Sequence, residues 1–236
     1  MKLHTIIRAF GAILLAATLA ANLHATDPIV TDSVEDNNAN GSTDWSSKWH
    51  RIGTGGAMTS TSGGLVATSG SNFWLGNSPT SAGNRGIARY YTDATITTGT
   101  YTIEFDLGAM TDVVFTTNLE IALLADTDSN TQYDYSERFG IVGISSLPTF
   151  TDGTAAWKHV ELTVVVTADT KTAGDQSVVG TTLGFMILSN VPVGYGYAFD
   201  NLTISHTAPV PEPGTTAAIA GLVTLAAALY IPRHRR

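Results

Sequence analysis

Between Asp126 and Glu137 the sequence reads DTDSNTQYDYSE, with oxygen-bearing side chains at a spacing that suits a hard divalent cation. Counting Asp126 as position one, Asp128, Asn130, Asp134 and Glu137 stand at three, five, nine and twelve. Calcium takes about six to eight oxygens in a flexible ring, and a loop with this spacing supplies most of them. Thr131 occupies position six, where such loops usually place glycine for a sharp turn, and the flanks read as strands rather than helices. The expectation is therefore a structural calcium site in a loop between two strands, set against the plainer reading of a polar hairpin turn.

Aromatic residues are the second source of chemistry, because an aromatic face packs against the apolar face of a sugar ring. Trp45, Trp49 and Trp74 lie in polar, glycine-rich surroundings and are the expected exposed ligand platform, with Tyr133, Tyr135, Tyr195 and Tyr197 as further stacking residues. Trp157 opens an alternating strand and is expected in the core. No catalytic residue is assigned. His50, His159 and His206 are scattered, and no nucleophile elbow, zinc-protease helix or phosphate-binding glycine loop is present. Glu104 and Asp106 share one strand face two residues apart, the ordinary pattern of a solvent-facing charged pair. A carboxylate pair for glycoside cleavage is set by the fold and not by spacing, so a glycosidase or lyase stays open as an alternative. The chain has no cysteine, which excludes disulfides, thiolate metal sites and a cysteine nucleophile.

The elements that must position these residues alternate with the two-residue period of strands. Tyr101 to Ala109, Leu119 to Ala125, Arg138 to Ile144, Trp157 to Ala168, Thr181 to Ser189 and Tyr197 to Ser205 are six such runs. They are rich in Val, Ile, Thr, Phe and Tyr and are punctuated by Gly, Asn, Asp and Pro. Earlier, shorter strands are expected around Gly64 to Thr68, Asn72 to Leu75 and Gly86 to Tyr91. Few helices and regularly spaced strands predict an all-β fold, an antiparallel β-sandwich of the jelly-roll kind.

Both ends carry a different message. Lys2 and Arg8 precede an apolar run from Ala9 to Ala21, and Leu23-His24-Ala25 offers a cleavage site, so residues 1–25 read as a cleavable signal helix. At the other end residues 208–214 form a proline-rich linker. The 17 residues from Thr215 to Ile231 then carry no charge, and Arg233, His234, Arg235 and Arg236 follow. As a helix this uncharged run reaches about 25 Å, enough for a single membrane span, and the arginines hold its end in the cytoplasm. The sandwich domain is thus residues 26–207, exported and initially anchored in the inner membrane. From Thr26 to Glu212 there are 20 acidic residues against seven basic ones, a net charge of roughly −13. Such a surface repels nucleic acid and suits cations or neutral glycans.

The tail resembles the PEP-CTERM sorting signal of Gram-negative bacteria, with Pro211, Glu212 and Pro213 as its motif. That resemblance implies processing by an exosortase and delivery to the cell surface. The body resembles galactose-binding-like jelly rolls and the carbohydrate-binding modules built on them. The resemblance rests on TDSVEDNNANGSTDWSSKW, TYTIEFDLG, AAWKHVELTV and GYAFDNLTIS taken in order. It implies a second calcium site joining Asp200 in the last strand to Glu35 or Asp36 near the first. Laminin-G and concanavalin-like sandwiches are the runner-up, since AAWKHV is similar to one of their central strands. The function expected is a surface-sorted, non-catalytic sandwich that binds or organises extracellular polysaccharide. A matrix or adhesion protein with a protein partner is the alternative.

Overall fold

The computed structural model describes residues 28–35, 48–53, 55–77, 80–116, 118–142 and 147–209. The signal helix, Asp36, Trp45, the Pro211-Glu212-Pro213 motif and the membrane span all fall outside the described residues. Among those described, no helix is long and apolar enough to cross a membrane.

Strand alternation governs the described residues. The short strands come first: β1 (Pro28–Asp32), β2 (His50–Gly53), β3 (Ala57–Thr59), β4 (Thr61–Ser62), β5 (Leu65–Val66) and β6 (Phe73–Asn77). Two long ones follow, β7 (Gly83–Thr95) and β8 (Gly99–Ala109), and then β9 (Val114–Phe115), β10 (Leu119–Asp126) and β11 (Arg138–Val142). The chain closes with β12 (Ala156–Val166), β13 (Thr182–Val191) and β14 (Tyr195–Thr207). In β8, Tyr101, Ile103, Phe105 and Leu107 are fully buried while Thr102, Glu104 and Asp106 face outward. β12 repeats the pattern with Val160, Leu162, Val164 and Val166 inward, so both strands present one apolar face each.

Two sheets result. One runs β12-β8-β14-β6-β3, and the other runs β11-β10-β13-β7-β2. Neighbours on these paths are antiparallel, whereas β9 lies parallel to the start of β14. β14 is the hinge of the first sheet. One of its edges pairs with β8, and the other pairs first with β6 through Gly196 to Phe199 and then with β1 through Leu202 to Ser205. The register shifts between Asp200 and Thr203, where Asn201 takes a positive φ of 56°. Asparagine enters that left-handed region more readily than most residues, and here it lets one strand change partners.

The core lies between the sheets. Phe105 and Phe199 from the first sheet meet Phe185 from the second, with Phe185 and Phe199 stacked at 5.5 Å. Trp49 packs edge-on against Phe199 at 5.7 Å. Trp49 and Trp74 are both fully buried, which corrects their expected exposure. Each indole N–H also has a partner inside: Trp49 donates to Asp32 and Trp74 to Tyr197. Trp157 departs from expectation in the opposite sense. It is half-buried on the outer face of the first sheet, edge-on to Phe73 under the β4–β5 hairpin, and donates to Val66 O.

Candidate functional site

At one lateral edge of the sandwich, β2 pairs with only the first part of β7, from Arg85 to Ala88. Beyond it, β7 and β1 line an open cleft of about 450 Å3 bounded by Thr31, Asp32, Glu35, Arg89, Tyr91 and Asp93. Val30 and Asp32 both face inward on β1, so the strand's alternation delivers a carboxylate to the rim of the core. Asp32 Oδ1 accepts from Val34 N at 2.8 Å and Trp49 Nε1 at 3.0 Å. Its Oδ2 accepts from Arg89 Nη1 at 2.9 Å and Tyr91 Oη at 3.2 Å. Burial, with the Asp32 charge alongside, pushes the Tyr91 phenol well above its usual range, so it stays a neutral hydroxyl. Arg89 Nε is buried with no acceptor among the described residues. A second cleft of about 260 Å3, bounded by Thr97, Tyr101 and His206, adjoins the first and shares Ile29, Asp93 and Ala94 with it.

The acidic loop joins β10 to β11 and contains a 3-10 turn at Tyr135–Glu137. Three of the five expected ligands come together: Asp126, Asp128 and Glu137 each offer an oxygen within 4.8 Å of the others'. The remaining two are turned to other work. Asp134 caps the 3-10 turn by accepting from Ser136 N at 2.7 Å, and Asn130 Oδ1 accepts from Gln132 N at 2.6 Å. Asp126 and Glu137 are buried, and Asp128 is exposed. Asp126 accepts from the Asn130 and Thr131 amides, while Glu137 accepts from Thr127 and from the Tyr90 hydroxyl. Desolvation holds both buried carboxyls above their ordinary range despite these bonds.

Glu35 and Asp200, the acids implied as a second calcium site, grip one loop from two sides. Asp200 Oδ2 accepts from Thr68 N at 2.7 Å and Ser69 N at 3.1 Å, and Glu35 accepts from Ser71 N, Asn72 N and Asn72 Nδ2. The amide of Ser71 chiefly holds Glu35 below its usual value, whereas burial raises Asp200. The group of acids placed to share an ion among the described residues is the one at Asp126, and it does not include these two. On the outer face of the first sheet, His159 sits between Glu104 at 3.5 Å and Asp106 at 3.3 Å. Those carboxylates approach different ring nitrogens, an exposed charged cluster of the expected ordinary kind.

Sequence reasoning missed Asp32, Arg89 and Tyr91. One signal was available: Val30, Asp32 and Val34 share a parity, and an acid on the inward parity of a strand needs buried donors.

No family model matches the chain, and no curated protein matches it. Solved structures of similar architecture exist. The CBM22-1 xylan-binding domain of a Paenibacillus barcinonensis protein is 13% identical with a TM-score of 0.41, over 78% of this chain and 97% of that one. A CBM61 structure in complex with beta-1,4-galactotriose is 14% identical with a TM-score of 0.38, over 70% of this chain and 92% of that one. A cyclase from Fischerella sp. TAU is 18% identical with a TM-score of 0.40, over 61% of this chain and 68% of that one. Binding modules and an enzyme thus resemble the chain about equally, and at this distance none carries its ligand or activity across.

Proposed function

We propose that this chain is an exported, surface-sorted, non-catalytic jelly roll that binds extracellular polysaccharide in the groove between β1 and β7. The groove is the observation that carries the reading: an open polar cleft with an aromatic ring, hydroxyls and a fixed guanidinium on its walls. Sugars are amphiphilic, with an apolar ring face and a rim of hydroxyls, and a cleft combining Tyr91 and Ile29 with Thr31, Thr92 and Asp93 meets both halves. Asp32 already accepts four hydrogen bonds, so it serves as a positioning group and not as an acid or base.

The export part rests on the two terminal segments, which resemble a signal peptide and a sorting anchor of the kind an exosortase processes. Calcium bound by Asp126, Asp128 and Glu137 is the structural ion of the reading, its charge offsetting two buried carboxylates. Isothermal titration of the purified chain tests the whole. With and without calcium, it is titrated with neutral and uronate-containing polysaccharides, the host's own exopolysaccharide among them. Saturable binding is expected. Silence against every glycan would leave a structural or adhesive role with a protein partner, to be sought by pull-down from envelope extracts.

A further inference from the structure

Resting on that reading, we infer that the groove takes an extended, uncharged glycan along its length and recognises internal sugars rather than a chain end. The two clefts meet at Ile29, Asp93 and Ala94, so they form one trough, open to solvent in both halves. Along β14, Asp32 stands opposite Leu202 and Pro28 opposite Ser205, next to His206, so the trough from Asp32 to His206 covers four strand steps, about 13 Å at ~3.3 Å per residue, room for more than one sugar ring end to end.

Its two halves differ in a way that suits a repeated ring. The first half has the Tyr91 ring beside the Asp32–Arg89 pair. In the second, the His206 ring leans on Tyr101 with centroids 4.7 Å apart, and its Nε2 is held by Thr97 Oγ1 at 3.3 Å and Thr98 O at 3.1 Å. Tyr101 in turn fixes the turn beneath, donating to Thr97 O and accepting from Thr97 N. The second half therefore offers a ring held in place by hydrogen bonds, the first a guanidinium lying over the Tyr91 ring at 5.4 Å, and between them Ile29, 42% exposed, gives an apolar saddle. Rings fixed in advance lose little rotamer freedom on binding.

Charge decides between neutral and acidic chains. Asp32, Glu35 and Asp93 line the trough against a single guanidinium, Arg89, whose Nη1 is committed to Asp32. A uronate or sulfate would meet three carboxylates against that one guanidinium and the His206 imidazole, a net negative lining, whereas a hydroxyl both donates and accepts.

The test titrates the full chain with cello-, xylo- and galacto-oligosaccharides, each from monosaccharide to hexasaccharide, together with oligogalacturonate. Affinity is expected to rise at least about tenfold from disaccharide to hexasaccharide and to be weaker for the uronate series. His206→Ala is expected to lower hexasaccharide affinity about tenfold and leave disaccharide affinity unchanged, with Thr97→Ala as the second variant should the first fail to fold. Affinity flat with length, uronates bound more tightly than neutral chains, or wild-type hexasaccharide affinity in both folded variants would each overturn the inference while leaving glycan binding intact. Silence of the wild type against every sugar defeats the parent reading instead.

Discussion

Replacing Asp32 with alanine removes the common acceptor of four donors in one step. The residue is 8% exposed, and its partners are a main-chain amide, a fully buried indole, a phenol and a guanidinium that is 24% exposed. An orphaned buried donor costs about 1–3 kcal/mol, and breaking a buried ion pair about 3–5 kcal/mol. These terms overlap, because Arg89 and Tyr91 border an open cleft and regain water, while Trp49 Nε1 and Val34 N do not. The expected loss is therefore about 3–5 kcal/mol, a large share of the 5–15 kcal/mol or so that holds a typical domain. For a domain of this size that is a fall in melting temperature of about 6–20 °C. Urea unfolding followed by tryptophan fluorescence reads it directly, since Trp49 is among the affected groups. Asp93→Ala, on the same cleft but exposed, is the control and is expected to change stability by less than about 0.5 kcal/mol. Adding Arg89→Met to Asp32→Ala is expected to recover little of the loss, because Arg89 regains water at the cleft while the Trp49 and Val34 donors stay orphaned. A loss under about 1 kcal/mol for Asp32→Ala would refute the account of this hub.

The remaining predictions concern the two acidic loops. Saturating calcium is expected to add about 3 kcal/mol at a hundred times its dissociation constant, and Asp126→Ala with Asp128→Ala removes that gain; melting curves identical in calcium and in EDTA would dispose of the ion. Asp126 and Glu137 titrate above their ordinary values of 3.8 and 4.5 in the fold. Their contribution in calcium-free protein is therefore fully present below those values and is lost as pH rises through the elevated folded-state ones. Glu137→Gln should flatten this slope, and an unchanged slope counts against the assignment. Glu35 has the opposite sign, its contribution present above 4.5 and lost as pH falls through its depressed folded-state value. Gly70→Ala is expected to cost about 1–3 kcal/mol, since Gly70 has φ +61° and a Cβ there would land on Glu35 Oε1; a thermal melt equal to wild type would contradict that.

Strands with a clean alternation were legible in the sequence nearly to the residue. Tyr101 to Ala109 became Gly99–Ala109, and Trp157 to Ala168 became Ala156–Val166, because one face of each is core and the other is not. The short early strands were legible only in outline, being held by pairing rather than by pattern. Trp49 and Trp74 show why polar surroundings mislead: each sits beside turn-forming residues, yet its own side chain points into the sandwich, and a two-residue period says nothing about which face wins in so short a run. The acidic loop was found because metal-ligand spacing is local. The groove was not, since Asp32 and Arg89 stand 57 residues apart and meet only when β1 and β7 come to the same edge.

The partner-switching strand β14 is made after every other described strand, yet it lies mid-sheet, with β8 on one side and β6 and β1 on the other. A nascent chain lacking it has the β12-β8 and β6-β3 pairs, with β1 and β9 unpaired and nothing to join them, so closure waits until translation has passed Thr207. Folding of this sandwich is thereby delayed by its own strand order, and the polypeptide remains threadable for as long as it is being made.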